Sequence, residues 1–311
     1  MQHPGKIVIW LNQIRANLLI LAVLLVTIGI ALAFKYLPQD HAISWLNIAL
    51  VTMGCVLAHA SVNLFNEYAD FMKEIDEKTQ RTPFSGGSGM IKSGFTNPLT
   101  VLFAAIITLL AGGGIGIYFV FTAHWSLVLI ILTGVFSIVA YTPLLTKMVL
   151  GELFFGLTLG TFVVLGTFIA LTANPGQSIG SLLPFEVIMI SIPPGILTAL
   201  LLLLNQFPDA EVDKKWGRRD LVIKLGAQKA AYVYTAGVVA TFVIILVLPL
   251  TGVSSFWLYL CLLPLPFVIK STTTALQFNN NIEKLVPALG ANIITVLLTD
   301  ALLAVSIFLA L

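Results

Sequence analysis

The chain of 311 residues is 58% hydrophobic and only 10% charged, with a formal net charge of +2 and a mean hydropathy of +1.00. A soluble domain carries about 25% charged residues, so this composition excludes an ordinary soluble protein. It predicts an all-α polytopic membrane protein, because backbone polar groups in lipid must find their partners within the spanning helix.

Nine apolar segments follow one another along the chain, and each is long enough to cross a hydrocarbon core of about 30 Å as a helix of about 20 residues. They cover residues 17–37, 43–65, 98–121, 124–143, 151–172, 181–204, 230–251, 254–274 and 287–310. We expect the first segment to remain as a membrane anchor. Cys55 and Cys261 lie inside these segments without metal-ligand spacing and are expected to be core residues.

The basic residues are distributed unequally between the two sides of the predicted bundle. Fifteen of the 16 Lys and Arg residues fall on the side that holds the N-terminus and the connections near 66–97, 144–150, 205–229 and 275–286. Only Lys35 falls on the other side. The positive-inside rule then places the basic side in the cytoplasm, and the membrane is the plasma membrane if the source is prokaryotic.

An acidic motif, NLFNEYADFMKEID, occupies residues 63–76 at the end of the second segment. On a helix Asn63, Glu67 and Asp70 share one face at spacing i, i+4, i+7, with Asn66 beside them and Asp76 following. Like charges at this spacing repel one another. A divalent cation would turn the repulsion into attraction, because Mg²⁺ prefers carboxylate and amide oxygens together with substrate phosphates.

A second acidic motif follows the sixth segment, where residues 205–226 read NQFPDAEVDKKWGRRDLVIKLG. Asn205, Asp209 and Asp213 again share a helical face, at spacing i, i+4, i+8. Both motifs lie at the same end of helices that run in the same direction, so we expect them to face each other across a magnesium-binding mouth. The alternative is a pair of solvated helix ends near the lipid headgroups.

Basic and glycine-rich stretches accompany the two motifs. Arg81 follows the first acidic motif by one short loop, and Arg218 follows the carboxylates of the second motif in the same way. Carboxylate-bound metal together with nearby cations would neutralise a leaving diphosphate, so this arrangement favours a diphosphate substrate. Such cations also serve membrane topology or contact anionic lipid. The loop PFSGGSGMI, residues 83–91, either covers the site or directs backbone N–H groups at phosphate.

The two motifs together resemble those of the UbiA superfamily of intramembrane prenyltransferases. The spacing N-x-x-N-[D/E]-Y-x-D of the first motif is most similar to the menaquinone-pathway 1,4-dihydroxy-2-naphthoate polyprenyltransferases. Glu67 stands where that subgroup commonly has Asp. Phe207 and Pro208 replace an Arg that often precedes the Asp corresponding to Asp209, which removes a cation from the site.

The resemblance implies one domain, residues 1–311, that forms a bundle of about nine transmembrane helices around a central cavity. The connections 63–97 and 205–229 would cap this cavity on the cytoplasmic side. The resemblance also implies Mg²⁺ as cofactor, a polyprenyl diphosphate as donor and an aromatic acceptor. The acceptor of the subgroup that this sequence most resembles is 1,4-dihydroxy-2-naphthoate. No nucleic-acid or protein partner is predicted, and the lipid bilayer is the surrounding medium.

The resemblance also implies a role for individual side chains. The residues expected to be catalytic are Asp70, Asp209 and Asp213. The expected metal ligands are Asn63, Asn66, Glu67, Asp70, Asp76, Asn205, Asp209 and Asp213. The expected diphosphate-binding residues are Arg15, Arg81, Tyr141, Lys147 and Arg218.

Two alternatives remain open from the sequence. The acceptor could be hydroxybenzoate, homogentisate, a porphyrin or a glycerol phosphate lipid. A secondary transporter is the alternative of another class, since carriers also contain paired half-sites with intramembrane acids.

Overall fold

The computed structural model describes residues 5–37, 42–72 and 87–311, and all regular structure within these ranges is helical. The helices, numbered here in chain order, are α1 Lys6–Gln13, α2 Leu19–Tyr36, α3 Trp45–Met72, α4 Pro98–Thr122, α5 Leu127–Ala140, α6 Gly151–Thr172, α7 Phe185–Asn205, α8 Ala210–Lys215, α9 Leu221–Leu225, α10 Ala227–Leu250, α11 Leu265–Phe278 and α12 Ile282–Phe308. The prediction of an all-α membrane protein is confirmed.

The number of membrane spans agrees only in part with the predicted nine. In the described part of the chain, seven helices are long and apolar enough to cross a membrane: α2, α3, α4, α6, α7, α10 and α12. An eighth span results if the 3₁₀ helix Phe256–Leu262 and α11, bent by 44° at their junction, are taken together. The count of nine is therefore not confirmed.

A proline lies at each of the two places where the structure departs from the predicted spans. In the segment 124–143, α5 has only 14 residues and passes into a π-helical turn, Tyr141–Leu145, whose sequence contains Pro143. In the segment 254–274, Pro264 lies at the junction between the 3₁₀ helix and α11. Proline lacks the N–H that continues an α-helix, so each segment bends or changes helix type at that point.

Glycines allow the helices that carry the two acidic motifs to approach their neighbours closely. Gly160 of α6 faces Gly195 of α7, and a Cβ added at Gly160 would lie 2.6 Å from the Gly195 Cα. On the other side, Gly112 of α4 faces Gly54 of α3, where an added Cβ would lie 3.0 Å from the Gly54 carbonyl oxygen. Small residues at such contacts are typical of helix packing in membranes, and they fix α3 and α7 within the bundle.

An ion pair joins α2 to α7 at the end opposite the acidic motifs. Lys35 Nζ lies 2.7 Å from Glu186 Oε1, and the Tyr36 hydroxyl donates to Glu186 Oε2 at 2.8 Å. Lys35, the one basic residue on the predicted outer side, is thus neutralised by a carboxylate.

Candidate active site

A polar cavity of about 140 Å³ lies where the C-terminal ends of α3 and α7 meet. It brings together side chains that are far apart in the sequence. The predicted site residues that line it are Arg15, Asn63, Asn66, Asp70, Tyr141, Asn205, Asp209, Asp213 and Arg218. The two motifs therefore face each other, as expected from their positions at the same end of two helices that run in the same direction. The continuous helix predicted for the second motif is not observed, because α7 ends at Asn205 and Asp213 lies in the separate helix α8.

Arg218 connects the two motifs electrostatically. Its Nη1 donates to both carboxylate oxygens of Asp213, at 3.1 and 3.2 Å, and its Nη2 forms a close ion pair with Asp70 Oδ1. Burial alone would lower the pKa of Arg218, but the two carboxylates outweigh it and hold that pKa above its ordinary value. A permanent cation thus lies between the first and second motifs and relieves their mutual repulsion.

The second motif presents buried oxygen atoms that have no hydrogen-bond partner. These are Asn205 Oδ1, Gln206 Oε1 and Asp209 Oδ1. Leaving a buried polar atom unpaired costs about 1–3 kcal/mol, so a site that retains several of them is built for a ligand that supplies positive charge or donors. Burial, followed by the neighbouring Asp213 carboxylate, raises the pKa of Asp209 to about 7.

This set of oxygens has the chemistry that Mg²⁺ requires, since the cation takes carboxylate and amide oxygens. Among the described residues no group of three or more His, Cys, Asp or Glu side chains lies close enough to hold a metal without other ligands. The amide oxygens of Asn66 and Asn205 would complete such a site. Arg218 is located between two of the carboxylates and would compete with a metal for them.

A hydrogen bond from the first motif holds the turn that carries Arg15. Asn63 Nδ2 donates to the Ile14 carbonyl oxygen at 2.8 Å. Arg15, the next residue, has a φ of +50°, in the left-handed region that non-glycine residues seldom adopt. Asn63 therefore stabilises the turn that brings Arg15 to the cavity wall.

The loop that carries Arg218 is held by contacts that the sequence analysis did not identify. Leu221 N donates to Glu152 Oε1 at 2.9 Å, and Arg219 N donates to the Thr146 carbonyl oxygen at 2.7 Å. Asp220 caps α9 by accepting the Ile223 N–H at 2.8 Å. Asp220 could have been found from sequence as an N-cap before an apolar run, and Glu152 as an acid at the start of an apolar helix.

Four predicted site residues are not placed in the cavity. The Glu67 carboxylate is buried and accepts hydrogen bonds from the backbone N–H and the hydroxyl of Ser88. Lys147 is exposed to solvent and does not line the cavity. Asp76 and Arg81 lie outside the described residues.

A second, apolar cavity of about 190 Å³ lies among α3, α4, α5 and α6. It shares two wall residues, Tyr141 and Phe155, with the polar cavity. Glycines form part of its lining, and a Cβ added at Gly113 or Gly134 would meet no atom within 4 Å. A polar cavity next to an apolar one suits a ligand with a charged head and a long hydrocarbon tail.

Comparison with known proteins assigns this architecture to a family. The model of the UbiA prenyltransferase family matches residues 22–293. The chain is 29% identical over 262 residues to the 1,4-dihydroxy-2-naphthoate octaprenyltransferase of Bacillus subtilis (strain 168), which covers 81% of this chain and 77% of that protein. It is 26% identical over 313 residues to the protein of the same name from Escherichia coli (strain K12), with 99% and 98% covered.

Solved structures agree in fold. A UbiA homolog from Aeropyrum pernix K1 superposes with a TM-score of 0.64 at 16% identity, covering 89% of this chain and 97% of that one. A UbiA homolog from Archaeoglobus fulgidus bound to DMAPP and Mg²⁺ superposes with a TM-score of 0.58 at 14% identity, covering 97% and 99%. At these identities the superpositions establish the shared fold.

Proposed function

Because the chain belongs to the UbiA prenyltransferase family, we propose that it transfers a polyprenyl group from a polyprenyl diphosphate to 1,4-dihydroxy-2-naphthoate in a Mg²⁺-dependent reaction. The observation that carries this proposal is the junction of the polar cavity, which holds both acidic motifs, with the apolar cavity. The acceptor is taken from the names of the two bacterial relatives.

Each cavity accounts for one part of the donor substrate. The side chains that would hold Mg²⁺ are Asn63, Asn66, Asp70, Asn205, Asp209 and Asp213, since these residues line the polar cavity and carry amide or carboxylate oxygens. When bound, Mg²⁺ would neutralise the diphosphate and so favour its departure from the allylic carbon. Arg218, Arg15 and Tyr141 line the same cavity and would contact the diphosphate.

The hydrocarbon chain of the donor would occupy the apolar cavity. Its walls come from four helices and are almost entirely apolar, so they exclude water from the tail and from the carbon next to the diphosphate. Tyr141 and Phe155, with ring centroids 6.5 Å apart, stand at the boundary between the two cavities. The reacting carbon would lie near this boundary.

The site would face the cytoplasm. The exposed basic residues Lys214 and Lys215 lie at the same end of the bundle as the polar cavity, whereas Lys35 at the other end is paired with Glu186. This arrangement follows the positive-inside rule, and in a prokaryote it would place the enzyme in the plasma membrane.

The proposal is tested with purified protein in detergent, Mg²⁺, a radiolabelled polyprenyl diphosphate and a panel of aromatic acceptors. We expect labelled naphthoate product in the wild type, and a loss of at least 100-fold in Asp209→Asn and in EDTA. Glu211→Gln is the matched control, because Glu211 is an exposed acid two residues away. Product with another acceptor would move the assignment, and absence of metal-dependent product with every acceptor would refute it and favour a transporter.

A further inference from the structure

Glu67 belongs to the first acidic motif, yet its carboxylate is bound by Ser88 of the glycine-rich loop and Glu67 is not part of the wall of the polar cavity. The residue is 1% exposed and does not line the cavity, whereas Asn66 and Asp70 on the same helix do. With 3.6 residues per turn, Glu67 lies about 100° around the helix from Asn66 and about 60° from Asp70. It therefore stands on the flank of the face that the other two share.

Both oxygens of this carboxylate are engaged by one residue of the glycine-rich loop. Glu67 Oε2 accepts the Ser88 backbone N–H at 3.0 Å, and Oε1 accepts the Ser88 hydroxyl. The Ser88 Oγ in turn accepts the Met90 N–H at 3.2 Å. Hydrogen bonds to a buried carboxylate are about twice as strong as those between neutral groups, so this contact orders the loop.

The contact fixes the part of the loop that borders the polar cavity. Gly87, directly before Ser88, lines that cavity and has a φ of +66°, and Gly89 has a φ of +70°. Glycine adopts such conformations without the steric cost that a side chain would bring. On the other side of Ser88, Ile91 is buried in a hydrophobic cluster that also contains Leu64 of α3, so the segment is anchored twice.

We propose that Glu67 is a positioning residue that holds Ser88, and with it Gly87, against the wall of the polar cavity, instead of ligating a metal. The inference rests on the proposed function and revises one of the metal ligands expected from the sequence. The resembled subgroup commonly has Asp at this place. An Asp carboxylate is one methylene shorter, by about 1.5 Å, and would not reach Ser88 from this helix position.

The proposal is tested by measuring metal binding and loop order separately, in full-length protein in detergent. Mn²⁺ binding with pyrophosphate present is followed by electron paramagnetic resonance, and exchange of the backbone amides of residues 87–91 by mass spectrometry. The variants are Glu67→Gln, Glu67→Asp, Ser88→Ala and the double variant Glu67→Gln/Ser88→Ala, with Asp70→Asn as the control that should lose Mn²⁺.

We expect each single variant at Glu67 or Ser88 to accelerate exchange of these amides at least tenfold while the Mn²⁺ dissociation constant changes less than threefold. The double variant should exchange no faster than the faster single variant, because both changes break the same contact. A tenfold or greater loss of Mn²⁺ affinity in Glu67→Gln, or unchanged exchange in Ser88→Ala, would overturn the proposal. Ser88→Ala decides the matter if Glu67→Gln does not fold.

These readouts do not depend on the acceptor or on product formation. A failure of the wild type to make prenylated product would refute the proposed function and leave the loop measurement intact. If the wild type is active, we expect Ser88→Ala to raise the KM for the polyprenyl diphosphate several-fold with a smaller change in kcat. Ser88→Thr keeps the hydroxyl and should have a KM close to that of the wild type.

Discussion

Arg218→Gln should tighten divalent metal binding and slow prenyl transfer in the same protein. In the described structure the guanidinium is paired with Asp70 and Asp213, which are also proposed metal ligands, so metal and Arg218 compete for these carboxylates. The same cation is proposed to stabilise the departing diphosphate. Its removal should therefore favour the metal and disfavour the chemical step.

The size of the first effect follows from the ion pairs. Opposite charges about 4 Å apart attract by about 4 kcal/mol at an effective dielectric constant of about 20. The side chains of Arg218 and Asp70 are 15% and 16% exposed, and desolvation offsets much of this attraction. A net value of about 1.5–3 kcal/mol for hydrogen bonds to charged groups remains, which corresponds to metal binding that is about 10- to 150-fold tighter.

The assay is a Mn²⁺ titration followed by electron paramagnetic resonance, together with the rate of labelled prenyl transfer at saturating Mg²⁺. Transfer should fall about 100- to 1,000-fold, the typical cost of removing one group that stabilises developing negative charge. Arg219→Gln removes the same charge from the adjacent, exposed position and should change neither quantity more than twofold. Mn²⁺ binding that is unchanged or weaker in Arg218→Gln would refute the reasoning.

Three further predictions concern other parts of the molecule. Gly113→Leu should fill the apolar cavity, so the transfer rate should fall at least tenfold more with long polyprenyl diphosphates than with dimethylallyl diphosphate. Gly114 is exposed and does not line this cavity, so Gly114→Leu should affect both substrates equally in the same assay. Glu186→Gln should lower the free energy of unfolding in detergent, measured by thermal unfolding, by about 1–3 kcal/mol, because the ion pair with Lys35 is lost. The control Glu283→Gln, at an exposed position, should change this free energy by less than about 0.5 kcal/mol. Lys215→Cys, in a background without the native cysteines, should react with an impermeant maleimide in inside-out vesicles but not in intact cells. The reverse pattern would contradict the proposed cytoplasmic placement of the site.

The features that the sequence predicted correctly depend on periodic or local properties. Hydropathy over about 20 residues located the apolar helices, and the alternation of their directions predicted that Asp70 and Asp213 lie at the same end of the bundle. The breaks at Tyr141–Leu145 and near Pro264 were not predicted. An apolar segment that contains a proline has the same sequence pattern whether the helix bends, changes type or ends at that point.

The supporting contacts of the site could not be derived from spacing, because they pair a side chain with a backbone group brought near only by folding. Glu152 accepts a backbone N–H from a loop 69 residues away, and Glu67 accepts one from Ser88, 21 residues away. Glu67 fits the periodicity of a metal motif in the sequence. Only the position of the loop shows which partner its carboxylate contacts.

The distribution of charge along the bundle separates an enzyme of this kind from a carrier. A carrier places its ion sites near the membrane midplane and needs a route to both sides. Here the carboxylates Asp70, Asp209 and Asp213 meet at one end of α3 and α7, while Lys35 and Glu186 pair at the other end of α7. The apolar cavity lies between α3, α4, α5 and α6 and shares Tyr141 and Phe155 with the polar cavity at the acidic end. This geometry would hold a charged head at the water boundary and leave its tail in the membrane, as the proposed transfer from a lipid diphosphate requires.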